Sequence, residues 1–110
     1  MLNEVLENTE RFMSSVPKAK RKKYGQFFTN ATTAKFMASL FCFDLSKKQV
    51  DILDAGTGTG ILAAAVVQKL LESGYGGAIH ITCYETDELV LPLLEENMIL
   101  CNKLHNVSYT

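Results

Sequence analysis

The run Asp54-Ala55-Gly56-Thr57-Gly58-Thr59-Gly60 constrains this chain more than any other part of it. It follows a short apolar segment, 50–55, that reads as a buried strand, and it opens an Ala-rich apolar helix over 61–71. Three glycines in five residues would each cost ~1 kcal/mol relative to alanine in ordinary structure. Such glycines belong where the chain turns sharply and where a ligand lies against bare backbone. The helix that follows offers free amides and the positive end of its dipole to an anionic group. A strand–helix turn without a ligand is the plainer alternative, but the position of the glycines at the carboxyl end of a first strand favours a bound one. The spacing also discriminates. A dinucleotide fingerprint, Gly-x-Gly-x-x-Gly, would place its third glycine at position 61, which is Ile61. Gly-x-Gly-x-Gly after an acid at the strand end keeps the nucleotide-cradling turn and departs from the pyrophosphate-binding pattern.

Beyond this loop the chain keeps alternating between strand and helix. Gly74 to Gly77 stop the first helix, and 78–84 alternates at period two with β-branched residues, predicting a second strand. A second helix is expected over 88–104, with Pro92 in its first turn, where a missing amide is cheap. Val107-Ser108-Tyr109 reads as a third strand. Strand–helix–strand–helix–strand with short links predicts an α/β fold with a parallel sheet flanked by helices. Upstream, Val5, Leu6, Thr9, Phe12, Met13 and Val16 form a helical stripe over 2–15 that Pro17 ends. Thr29 or Asn30 can cap a further helix over 31–43, expected to bury Phe36, Met37, Leu40 and Phe41. Residues 1–45 thus read as an N-terminal helical segment and 46–110 as the α/β part.

A chain of 110 residues suits one small domain. Its 47% apolar and 21% charged residues are ordinary for a globular protein. No apolar run approaches the ~20 residues that span a bilayer. Met1-Leu2-Asn3-Glu4 lacks the basic flank of a signal peptide, so a cytoplasmic address without membrane contact is expected. Cys42, Cys83 and Cys101 form no Cys-x-x-Cys pair, which fits buried free thiols better than disulfides or metal ligands. Net charge is −1, yet Lys18, Lys20, Arg21, Lys22 and Lys23 cluster; they suit a solvated surface or a phosphate contact equally well.

At the end of the second strand stands Tyr84-Glu85-Thr86-Asp87. An acid there can accept both hydroxyls of a ribose, which predicts Glu85 on a ribose and Asp87 as a helix cap; the plainer alternative makes either a cap. Tyr24-Gly25-Gln26-Phe27-Phe28-Thr29, a helix, the glycine loop and then Tyr-Glu-Thr-Asp, in that order, resemble the adenine-specific N6 DNA methyltransferases of restriction-modification systems, in their gamma-class arrangement. The resemblance spans about 20–97. It implies a Rossmann-like methyltransferase half-domain that binds S-adenosyl-L-methionine, with DNA as the intact enzyme's partner. It implies that Gly25, Phe28 and Thr29 lie beside the methionine end of the cofactor, with Thr29 on its carboxylate. Asp54 would sit near the ammonium. Gly56, Gly58 and Gly60, with Ala55, would floor the site, and Glu85, with Thr86 beside it, would hold the ribose.

Two departures from the family pattern stand out. Asn30 replaces the usual proline, and asparagine still caps a helix. The catalytic Asn/Asp-Pro-Pro-aromatic motif is missing, since Pro17 and Pro92 are the chain's only prolines. Base extrusion needs a pocket, so the expectation is a truncated methyltransferase that binds cofactor and is inactive alone. A first strand without its second neighbour would expose an edge, and self-association across it is expected. The rivals are a methyltransferase of the same fold acting on RNA, protein or a small molecule, and a non-enzymatic interaction module. A nicotinamide dehydrogenase is disfavoured by Ile61.

Overall fold

The computed structural model describes residues 1–19, 28–103 and 107–110. Three parallel strands form one sheet in the order β1 (Gln49–Ala55), β2 (Ala78–Tyr84), β3 (Val107–Tyr109). Val50 lies beside Ile79, and Ile79 beside Val107. Helix α3 (Ile61–Glu72) joins β1 to β2, and α4 (Leu91–Asn102) joins β2 to β3. Parallel crossovers are almost always right-handed, and two in succession in the same direction put both helices on one side of the sheet. Burial follows that rule. Ile79, Ile81 and Val107 are buried on one face, while Gln49, Asp51, Leu53 and Ala55 are exposed on the other. The architecture is the expected α/β, Rossmann-like half-domain preceded by helix, with β1 at an edge of the sheet.

Helix α1 (Leu2–Ser15) packs on α3 and α4, and its Leu2 and Val5 join the same apolar core as the sheet. Val16 turns extended ahead of Pro17, as the proline requires. Helix α2 (Ala31–Ser39) starts at Asn30, whose side chain accepts from the Thr33 N–H at 2.8 Å. It differs from the expected 31–43 helix in length and in the face it buries. Phe36, Met37, Leu40 and Phe41 are exposed, and Ala34 and Ala38 are buried instead. Two alanines four residues apart form a flat ridge that lets α2 approach α3 closely, which turns the large side chains outward. Lys69 fixes the segment past its end by donating to the carbonyls of Ser39 and Phe41, at 2.9 and 2.7 Å.

Helix α4 begins three residues later than expected, after a turn at 88–90, and Pro92 sits in its first turn. The expected end at Leu104 lies outside the described residues, as does the basic run from Lys20 to Lys23. The thiols differ from expectation as well. All three are free, but Cys42 is exposed, Cys83 half-buried and only Cys101 buried. Burial, then the neighbouring Cys83, pushes the Cys101 thiol up to about 11. Among the described residues no helix is long and apolar enough to cross a membrane, and no cluster of His, Cys, Asp and Glu could hold a metal.

Candidate functional site

The glycine loop leaves β1 and is clamped at once to the end of β2. The N–H groups of Gly56 and Thr57 both donate to the Tyr84 carbonyl, at 2.8 and 3.0 Å. The Thr57 hydroxyl donates back to the Asp54 carbonyl at 2.6 Å. Gly56, Gly58 and Gly60 all have φ in the left-handed region, at 69°, 61° and 89°, which side chains disfavour. Their surroundings differ. A Cβ on Gly56 would meet nothing within 4 Å, whereas one on Gly58 would lie 3.3 Å from the Phe28 ring. One on Gly60 would come within 2.7 Å of the Met98 methyl. Gly60, expected in the floor of the site, is buried, and its lack of a side chain makes room for α4.

A cleft of about 140 Å³ opens over this loop. Phe28, Thr29, Asp54, Ala55, Gly56 and Gly58 line it, together with Thr57, Thr59, Ile61 and Leu62, for which the sequence predicted no contact with a ligand. Gly25 lies outside the described residues. Thr86 is exposed beside the cleft. Glu85 is half-buried at its flank and already occupied. Its Oε1 accepts from the Gly58 N–H at 2.7 Å, and its Oε2 from the N–H groups of Thr86 and Asp87, at 3.0 Å each. Asp87 does not cap α4 as expected, because the helix starts later, at Leu91, with Val90 as its N-cap and no side-chain bond there. The Asp87 Oδ1 accepts instead from the Leu89 N–H at 2.9 Å, in the turn ahead of the helix.

Asp54 is the exception in this well-bonded loop. Its Oδ2 is buried without a hydrogen-bond partner. Burial, and then the charge of Glu85, holds its carboxyl above the ordinary carboxylate range. An unpaired buried carboxylate oxygen is costly, and a cation placed against it would relieve that cost. The start of α3 on the same cleft presents its dipole's positive end. The cleft therefore has complementary sides for a ligand carrying one positive and one negative group. A larger cavity of about 480 Å³ between α1 and residues 28–31 shares Phe28, Thr29 and Ile61 with the cleft. Glu7 and Glu10 on its wall make it the poorer seat for an anion. Sequence reasoning also passed over Asn97, fully buried on α4, whose Nδ2 donates to the Thr59 carbonyl at 2.8 Å. An asparagine in mid-helix, directly before Met98, was the available signal.

The family model for N-6 DNA Methylase matches residues 4–110. The chain is 35% identical over 102 residues to the type II methyltransferase M.BsuBI of Bacillus subtilis, covering 90% of this chain and 20% of that protein. It is 36% identical over 88 residues to the type II methyltransferase M.PstI of Providencia stuartii, covering 80% of this chain and 17% of that protein. The chain thus spans about a fifth of the length of the curated relatives it matches. No solved structure matches it significantly. On the family match and these two identities, the chain belongs to the N-6 DNA methylase family.

Proposed function

We propose that these residues are the S-adenosyl-L-methionine-binding N-terminal portion of a DNA adenine-N6 methyltransferase of a restriction-modification system. The observation that carries the reading is the unpartnered Asp54 oxygen over the glycine loop, in a chain of the N-6 DNA methylase family. The donor set fits the cofactor group by group. Asp54 suits the methionine ammonium, while the start of α3 and the Thr29 hydroxyl suit its carboxylate. Bare backbone at Gly56 allows close approach, and Phe28 packs over Gly58 to keep water from the loop. Glu85 Oε2 already has two donors, while Oε1 has one and can take a ribose hydroxyl as well. When bound, the cofactor supplies an activated methyl group on a sulfonium, and these residues hold and orient it.

In this reading residues 1–45 carry the methionine-side wall and 46–110 form the first half of the cofactor domain. The chain contains no Pro-Pro, so by itself it binds cofactor without transferring a methyl group to DNA. Its setting is the cytoplasm. Two copies associate across β1, which is an edge strand whose Leu53 is 70% exposed. Chemical-shift mapping with the demethylated cofactor tests the site. Perturbation should centre on Phe28, Thr29 and 54–59, and shifts confined to the α1 side of the larger cavity would overturn it.

A further inference from the structure

We propose that the N-terminal helix is a working part of the cofactor site, setting the glycine loop through a one-way chain of hydrogen bonds from Arg11 through Asn8 and Asn97 to Thr59. The proposal rests on the reading of that loop as the cofactor's seat. Its direction follows from elimination. The Thr59 carbonyl can only accept, so Asn97 must turn its amide N–H to it, at 2.8 Å. Asn97 then has only its Oδ1 for α1, and Asn8 must donate there, at 2.9 Å and from 89 positions away in sequence. The Oδ1 left on Asn8 takes the Arg11 guanidinium. Each of these contacts thus runs in one direction, and a charged donor polarises the chain from its outer end.

A second tie runs in parallel. The Thr9 hydroxyl spends its proton on the Val5 carbonyl at 2.8 Å, so the Thr59 hydroxyl must donate to Thr9, also at 2.8 Å. Thr59 is therefore held by its carbonyl from α4 and by its hydroxyl from α1. It is 1% exposed and Asn97 is 0% exposed, so neither can turn to water when a partner is lost. The residues on either side are fixed as well: Gly58 donates to Glu85, and Gly60 lies under Met98 and Leu94. The loop that would carry the cofactor thus owes its shape to contacts on three sides, and α1 provides one of them. Asn97 is a positioning residue, acting on the ligand only through Thr59.

The test compares Asn97→Ala, Thr9→Val and Thr9→Ser in the full chain with a control, Val67→Ala, which is buried within α3. Amide hydrogen exchange at Gly58, Thr59 and Gly60 is read against Ile79 and Ile81 in β2, alongside titration with S-adenosylmethionine. Asn97→Ala should speed loop exchange and weaken binding, each about tenfold. Thr9→Val should move both the same way, and Thr9→Ser should restore them. Val67→Ala should lower the melting temperature while leaving both near wild type. Should Asn97→Ala fail to fold, the Thr9 pair still decides. Wild-type loop exchange in Thr9→Val, or equal loosening in Val67→Ala, would overturn the proposal. Absence of cofactor binding by the wild type counts against the functional reading alone, because loop exchange remains to be read.

Discussion

The Gly58 N–H donates to the Glu85 carboxylate at 2.7 Å, joining the middle of the glycine loop to the end of the neighbouring strand. Glu85 also accepts from two amides of its own turn, so it shapes the loop itself, and in the proposed reading it offers a ribose acceptor as well. Glu85→Ala should therefore lower stability by ~1–3 kcal/mol, the range for bonds to a charged acceptor, and lower cofactor affinity by ~1.5–3 kcal/mol. Thermal denaturation and calorimetric titration read the two separately. Unchanged stability would mean that the three amides find water at no cost.

Asp54→Asn should separate binding from folding in the opposite sense. The wild-type carboxyl is raised above its ordinary 3.8 by burial and by Glu85. A raised acid favours its protonated form in the fold, so its stabilising contribution is complete below the ordinary value and is lost as pH rises through the raised one. Near neutral pH the asparagine variant should thus be as stable as wild type or more so. Cofactor affinity should fall by ~1.5–3 kcal/mol. In the wild type affinity should climb with pH across the window above 3.8 as Asp54 ionises, while in the variant that contribution is absent. Melting curves and titrations from pH 4 to pH 7 would expose a reversed trend.

The three loop glycines should rank differently for stability and for binding. Alanine at each meets the left-handed penalty of ~1–2 kcal/mol. At Gly60 overlap with Met98 adds to it, for a total of ~2–4 kcal/mol. Gly58→Ala should fall between, since Phe28 must give by a few tenths of an ångström. Gly56→Ala costs the fold least, yet its methyl would project over the cleft, so its loss of cofactor affinity should exceed its loss of stability. Denaturant unfolding of the three variants checks the order.

These contrasts mark how far sequence could see. The strand over 78–84, the glycine turn, the cap at Asn30 and the third strand are local patterns, and local patterns were legible. The facing of α2 was not. Phe36 and Leu40 have helical spacing, but so do Ala34 and Ala38, and only the packing of α3 decides which ridge is buried. The Asn8–Asn97 bond joins residues 89 apart, beyond any periodicity. The amide partners of Glu85 depend on how the loop and the turn at 85–87 fold back on each other, which composition does not encode.

Ligand ranking by isothermal titration tests most directly the claim that this loop, with Asp54 and Glu85, seats S-adenosylmethionine. S-adenosylmethionine or its demethylated product should bind, and NAD should give no heat above dilution. The motivation is the Gly-x-Gly-x-Gly spacing with Ile61 in place of a third fingerprint glycine, together with the unpaired Asp54 oxygen. NAD binding as tightly as S-adenosylmethionine, or more tightly, would contradict the account.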